Sequence, residues 1–451
     1  MRIIIVGAGE LGSLLAARLS ARNEHDITVI DLSDAEFEHL REKLDLMLIE
    51  GSATDVSVLK RAGIESADLL FAVSGDENVN MTVCRIARMF GVEETICRVY
   101  SFSAFSPEDG ITPELFGIRK VFSSPDECAR KVMDVLHNRN VLEKIRFSNS
   151  SALMDVIDVT PSSLLAGVRV KDFPGTDILN QIRLAALVRD QRFIIPHGDT
   201  IIVPGDRIYV AGSAEKVNDF VKLITEASSD IKRVVISGAT KTGEILARQL
   251  LSEGYEIRII EKKRERGEHL LDILPPGSIV IHGDPTDEDV MEEVGISSCD
   301  AFVSMDENDE SGILSCILAK RLGAKKVITI THKPEYISIV PAMSVIDCGF
   351  NSTLVSVNAL FRLMGNGTYQ IDTKLQRFHA NLKEFHVSEK SRLCGLSLAE
   401  CKLPPSTVFA MLFRGSEVIT PSGTTVFQPG DIAVAIATPE TAKELEPYFL
   451  R

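Results

Sequence analysis

The chain has 451 residues, 45% of them hydrophobic and 25% charged, with a formal net charge of −15 at pH 7. That length holds about three or four domains of roughly 100 to 150 residues each, and so acidic a balance argues against a nucleic-acid binder, which needs a basic face to release counterions. Eight cysteines without a CxxC, several of them in apolar runs where a free thiol behaves as a small hydrophobe, read as a reducing cytoplasm, and no apolar run approaches the roughly 20 residues needed to span a bilayer.

Residues 3–6 are an apolar run without alternation, which suits a strand buried on both faces. Gly7-Ala8-Gly9-Glu10-Leu11-Gly12 follows at once, then small and apolar residues at helical spacing, then a second buried strand over 27–30 that ends at Asp31. Asp31 lies 19 positions beyond Gly12, which gives this GxGxxG the strand, helix and acid that a dinucleotide fingerprint requires. Gly7 permits the tight turn, Gly9 lets backbone approach a pyrophosphate, and Gly12 lets helix and strand pack closely. The helix start offers unpaired N–H groups to the phosphates, and Asp31 would accept hydrogen bonds from the adenosine ribose. A glycine-rich turn that binds nothing is the alternative.

The βα rhythm continues with a strand at 46–49, a helix at 56–62, a strand at 68–73, a helix at 77–90 and a strand at 95–100. In a doubly wound sheet, ligands bind at the carboxyl ends of the strands, which places Ser52, Val73 and Ser74 beside Gly9. Arg98, near the end of the fifth strand, reads equally as a phosphate contact or as half of a surface ion pair. Residues 101–110 form a loop, and 126–138 carry Val132, Val135 and Leu136 on one face of an amphipathic helix. Short β-like segments follow at 153–159, 184–188, 193–195, 200–203 and 208–211, and a helix at 215–224 closes a small α+β module. Residues 227–230 read as a linker.

The series then starts again. Gly238-Ala239-Thr240-Lys241-Thr242-Gly243 repeats the turn 231 positions on, Glu261 takes the place of Asp31, Gly283-Asp284 repeats Gly51-Ser52, and Ser304-Met305-Asp306 matches Ser74-Gly75-Asp76. The small module recurs 225 positions on, with Pro429-Gly430-Asp431 answering Pro204-Gly205-Asp206. So many ordered matches mark a tandem duplication: two Rossmann-like, doubly wound parallel-sheet α/β domains, each followed by a small α+β module.

With both repeats in view the whole chain resembles the TrkA family, regulatory proteins of Trk-type potassium uptake systems. The resemblance rests on MRIIIVGAGELG with Asp31, on the paired GIESADLLFAVSGDEN and GISSCDAFVSMDEN, on LAKRLGAKKV, and on the repeated Pro-Gly-Asp turns. It implies RCK (KTN) nucleotide-binding domains at 1–140 and 229–368, and RCK C-terminal modules at 141–228 and 369–451. It further implies a cytoplasmic, membrane-peripheral ring of four chains that docks on a potassium-conducting membrane subunit and responds to NAD(H) or adenine nucleotides. Gly7 to Leu11, Asp31, Val73, Ser74 and Arg98 match family site positions in the first half. In the second half Gly238 to Thr242, Glu261 and Ser304 do so. Departures lie at Val99-Tyr100-Ser101-Phe102 after Arg98, at Ser52 where the second half has Asp284, and at Thr240, which replaces the second glycine.

NAD(H) is the ligand expected at the first site. Lys241 in place of Glu10 favours ADP or ATP at the second, with NAD(H) or NADP(H) also open. The rival reading is a dehydrogenase, which would need a sizeable substrate domain offering an acid or base beside the nicotinamide. The modules are small, and His197 and His282 read as turn or edge residues. A scaffold with vestigial sites is the third reading. The apolar faces of helices 126–138 and 352–364 predict domain pairing and a tetramer.

Overall fold

The structure is a computed structural model that describes residues 1–20, 25–41, 46–147, 149, 151–174, 176–190, 192–225, 230–275, 278–340, 343, 345–364, 373–375, 380–404, 407–437 and 439–449. Most of the expected linker at 227–230 lies outside the described residues. Two compact units form: Met1–Arg130 with Asn351–Leu363, and Lys131–Phe350 with Met364–Arg451.

In the first unit β1 (Arg2–Val6), β2 (Asp26–Asp31), β3 (Met47–Glu50), β4 (Leu69–Ala72), β5 (Glu94–Val99) and β6 (Lys120–Ser123) make one sheet in the order β3-β2-β1-β4-β5-β6. Every pairing in it is parallel. The run Ile3, Ile4, Ile5 and Val6 is buried throughout, as expected for a strand covered by helices on both faces. Strand order reverses between β1 and β4, so the carboxyl ends of these two strands open the crevice where a doubly wound sheet takes its ligand.

The second unit begins with an antiparallel sheet of β7 (Val141–Arg146), β8 (Ala152–Asp158), β9 (Ile182–Arg189), β10 (Arg192–Ile194) and β11 (Arg207–Ser213), ordered β10-β9-β11-β8-β7. The Pro-Gly-Asp turn has a physical reason. Asp206 is fully buried, accepts two N–H groups of Arg189 at 2.7 Å each, and accepts the Val203 amide at 2.8 Å. The same guanidinium donates to the Ile201 carbonyl at 2.8 Å. The strand expected over 200–203 reduces to a single bridge between Arg169 and Ile201, flanked by the Val170 amide on the Thr200 carbonyl and the Ile202 amide on the Val168 carbonyl, each at 3.0 Å. The strands β6 and β7 were not anticipated from sequence.

The second half repeats the plan with β12 (Arg233–Ser237), β13 (Glu256–Glu261), β14 (Ile279–His282), β15 (Ala301–Ser304), β16 (Lys326–Thr331) and β17 (Cys348–Asn351), again with reversal between first and fourth strands. Its module contains β18 (Thr373–Leu375), β19 (Ala380–His386), β20 (Val408–Arg414), β21 (Glu417–Ile419) and β22 (Ile432–Ala437). Arg414 and Asp431 reproduce the buried fork, at 2.9 Å for both bonds.

The helix Ser352–Met364 comes from the second half of the sequence, yet up to Leu363 it belongs to the first unit. There Arg18 Nη1 donates to Asn358 Oδ1 at 3.1 Å, Arg362 Nη2 to Glu127 Oε2 at 2.8 Å, and the Ser356 hydroxyl to that of Ser124 at 2.9 Å. Val357, Leu360 and Phe361 are buried beside these contacts, and Val132, Val135 and Leu136 are buried in the second unit. These faces, expected to mediate domain pairing and a tetramer, are covered within the chain, so they carry no argument for a tetramer. Among the described residues no helix is long and apolar enough to cross a membrane.

Candidate functional site

The first crevice is built on close backbone approach. Gly7 has φ +106°, and a Cβ there would meet the Ser74 Cα at 2.8 Å, so the turn after β1 touches the turn after β4. A Cβ on Gly12 would fall 1.9 Å from the Gly7 carbonyl oxygen, which forces glycine where the helix Glu10–Ser20 starts. At Gly9 a Cβ would meet nothing within 4 Å, so its space faces the open crevice. Ala8 and Leu11 are buried beside it. Asp31 Oδ2 accepts the Ala8 amide at 2.7 Å and Oδ1 accepts the Ser33 amide at 3.0 Å. A carboxylate offers about four lone-pair sites, which leaves capacity for ribose hydroxyls.

Across the crevice, sequence reasoning missed Asn80. Fully buried, it accepts the Ser74 amide at 3.0 Å and hydroxyl at 2.7 Å, and donates to the carbonyls of Ser74 at 3.1 Å and Arg98 at 3.0 Å. One side chain therefore ties the turn after β4 to the end of β5. Arg98 Nη1 points back to the Val73 carbonyl at 3.5 Å, and burial lowers its pKa. The reading of Arg98 as a surface ion pair does not hold, since no carboxylate partners it among the described residues. Ser52 shares a 2.8 Å hydroxyl contact with Thr54. Thr353, from the helix Ser352–Met364, places its hydroxyl 3.4 Å from Glu10 Oε2.

The second crevice keeps the frame and changes the chemistry. Gly238 has φ +95° and a Cβ on Gly243 would lie 2.3 Å from the Gly238 oxygen. Glu261 accepts the amides of Ala239 at 2.5 Å and Lys263 at 2.7 Å, as Asp31 does for Ala8 and Ser33. The Thr240 hydroxyl turns inward and accepts the Gly243 amide at 3.2 Å, so it caps the helix Lys241–Ser252 with a group that the first half lacks. Lys241 pairs with Glu244 at 3.1 Å, a carboxylate that it shares with Arg248 at 3.1 Å; the neighbouring Thr242 is half-buried. Asp284 accepts from the Thr286 amide at 2.8 Å and hydroxyl at 2.7 Å, with Lys262 at 3.3 Å. Burial works to raise its carboxyl, but those partners hold it below the ordinary value.

Strand pairing corrects the register of the repeat. Val6 pairs with Ala72, and Ser237 pairs with Ser304, so Ser304 is the counterpart of Ala72 rather than of Ser74. Asp306 takes the place of Ser74, and a Cβ on Gly238 would meet the Asp306 amide at 3.2 Å. Ser237 and Ser304 donate to Asp306 Oδ2 at 2.7 and 3.2 Å, while burial raises its pKa from the ordinary value despite those bonds. By the same pairing Ile330 stands where Arg98 stands. The second crevice thus gains an acid and loses an arginine.

Residues 3–106 and 234–347 match the TrkA-N domain, and residues 156–225 and 382–450 match the TrkA-C domain. The chain is 30% identical to the Trk system potassium uptake protein TrkA homolog 1 of Methanosarcina mazei over the full length of both. It is 29% identical to the Trk system potassium uptake protein TrkA of Halomonas elongata, covering all of this chain and 98% of that one. Among solved structures it is similar in fold to the GsuK RCK domain (TM-score 0.61, 18% identity, 99% of this chain and 94% of that one). A similar likeness holds to the GsuK channel bound to NAD (TM-score 0.61, 17% identity, 99% and 78%).

Proposed function

This chain belongs to the TrkA family, and from that premise we propose that it is the nucleotide-sensing regulatory subunit of a Trk-type potassium uptake system. In this reading residues 1–140 and 229–368 are RCK N-terminal domains, and 141–228 and 369–451 are their C-terminal modules. The protein acts from the cytoplasmic face as a homo-oligomer, a tetramer by family likeness, docked on a potassium-conducting integral membrane subunit.

The observation that carries the ligand assignment is the Asp31 carboxylate, braced by the Ala8 and Ser33 amides at the mouth of a turn whose Gly9 has no side chain to cap the helix start. That combination supports NAD(H) at the first site, with phosphates on the helix start and ribose on the acid. At the second site Glu261 supports an adenine nucleotide, ADP, ATP or NAD(H), held less firmly along its phosphates because Thr240 and Asp306 occupy that path. Nucleotide binds without turnover and changes transport by favouring one of two conformations, since a ligand that binds both equally shifts nothing.

Titrating NADH into the intact protein tests this reading. Saturable binding with no change in nicotinamide absorbance over time is expected, and a cell lacking the protein should take up potassium poorly at low external concentration. Steady oxidation of NADH with a co-substrate would instead make the chain a dehydrogenase.

A further inference from the structure

A cavity of about 350 Å³ opens in the second unit at the amino edge of its parallel sheet, beneath the starts of β12, β13 and β14. It lies at the end of those strands opposite to Gly238, and so shares nothing with the nucleotide crevice. Val234, Val235, Ile257 and Val294 give it a buried apolar floor, and Leu251 forms part of a wall. Two arginines, Arg233 and Arg258, are among its lining residues, with Glu256 the one carboxylate residue of the described lining. Among the described residues neither arginine has an ion-pair partner. The nearby Asp300 is already engaged with the amides of Lys232 and Arg233 and with Lys325 Nζ. A net positive lining in a chain of charge −15 is a local inversion of sign.

The arginine at 258 is positioned rather than loose. Its Nη1 donates to the Val294 carbonyl at 2.7 Å, which anchors the guanidinium, and among the described residues no other hydrogen bond is made by its remaining N–H groups. Gly295 gives it room, because a Cβ there would lie 2.8 Å from that nitrogen. The first half shows that the fold does not require this arginine: Ile4 pairs with Thr28 where Val235 pairs with Arg258. Cys299 adds no competing anion, since burial pushes its thiol up to about 12.

We infer that this cavity is a second kind of ligand site, for a small organic monoanion whose carboxylate meets Arg233 and Arg258 and whose aromatic or branched aliphatic body lies against Val294 and Leu251. The planar fork of arginine matches a carboxylate, the net lining charge suits a single negative charge, and the volume is at the small end of ligand pockets. Because β12 runs from this cavity to the glycine turn, an acid bound here sits on the same strand that ends at the nucleotide.

Calorimetry on the full-length protein with benzoate and isovalerate tests the inference, with inorganic phosphate as the probe that has charge but no apolar body. Saturable binding of one of the two acids is expected, one per chain, undiminished by saturating NADH and tighter than phosphate. Arg258→Thr, which installs the residue of the first half, and Arg233→Gln, which leaves the Val294 contact intact, should each weaken it at least about tenfold. Absence of saturable binding, displacement by NADH, equal affinity for phosphate, or unchanged affinity in both variants would each overturn it.

Discussion

Asp31 Oδ2 lies 2.7 Å from the backbone nitrogen of Ala8, so the acid proposed to hold the ribose also pins the turn that faces the pyrophosphate. Asp31→Ala removes both. Hydrogen bonds to a charged group contribute about 1.5 to 3 kcal/mol, and the variant should bind NADH about tenfold to a few hundredfold more weakly. Wild-type protein should prefer NADH to NADPH, since an acid here repels a 2′-phosphate. Equal NADH affinity in the two proteins, measured by calorimetry, would remove Asp31 from the site.

Asn80 makes four hydrogen bonds between the turn after β4 and the end of β5. Asn80→Ala leaves buried donors and acceptors unpaired at about 1 to 3 kcal/mol each before relaxation, so a loss on the order of 3 kcal/mol in urea unfolding is expected, together with weaker NADH binding. Asn80→Asp keeps the two acceptor contacts but turns a buried carboxylate oxygen against the carbonyls of Ser74 and Arg98, so it should lose at least as much stability at neutral pH. If both variants melt like wild type, the staple is not what holds Ser74 and Arg98 in place.

The first glycine turn was legible because everything it needs is local: an apolar run, three glycines at fixed spacing, and an acid one strand later. Asn80 was not, because its partner Arg98 lies 18 positions away and nothing in the helix pattern marks one buried amide. The register at Ser304 went astray because matching the letters Asp-Glu-Asn outweighed strand pairing; Asp76 and Asn308, which cap the following helices, mark the true correspondence. Both crossover helices were readable from their apolar faces, but their partners were not, since amphipathicity says that a face is covered without saying by what. Lys326 sits in the polar-looking Lys325-Lys326 pair and only the fold shows that it is buried.

Lys326 is fully buried, and its ammonium donates to the carbonyls of Val135 at 2.6 Å, Asn138 at 3.2 Å and Val141, at the end of helix Ser124–Leu136 and the start of β7. Burial lowers its pKa, yet the three carbonyls give the charged form its reason to stay. Lys326→Met removes the charge and leaves three acceptors without a donor, a loss on the order of 3 kcal/mol. Thermal melts should show it as a lower midpoint, and an unchanged midpoint would mean that water replaces the ammonium.

Asp155 is buried beside Lys144, 3.7 Å from its Oδ2, while Oδ1 has no hydrogen-bond partner among the described residues. Burial raises its pKa from 3.8 to about 6, with Lys144 opposing. Between those values the folded chain keeps a proton that the unfolded chain has lost, so stability falls as pH rises through that window. A shift of about two units corresponds to about 3 kcal/mol. Asp155→Asn has no such proton to lose, and wild type should drop relative to it by on the order of 2 to 3 kcal/mol between pH 4 and pH 7 in urea melts. Parallel curves would show an ordinary carboxyl.

The two nucleotide sites should differ, and Thr240 is the residue that decides how. Its hydroxyl accepts the Gly243 amide at 3.2 Å, using an N–H group that a phosphate would otherwise receive, whereas Gly9 leaves the equivalent helix start open. Asp306 adds a carboxyl on the same path, and Ile330 replaces Arg98. Intact chain is the right material, because the helix Ser352–Met364 belongs mostly to the first unit and a cut between the sequence halves would strip it away. Calorimetry should give one tight NADH per chain and, for ADP, a weaker second event. Thr240→Gly costs only a few tenths of a kcal/mol as a cap change and should strengthen ADP binding severalfold, while Asp306→Ser should add to that gain and leave the tight NADH event unaltered. Two equal NADH events in wild type would refute the asymmetry, and an ADP affinity that neither substitution raises would place the difference between the sites elsewhere than on the phosphate path.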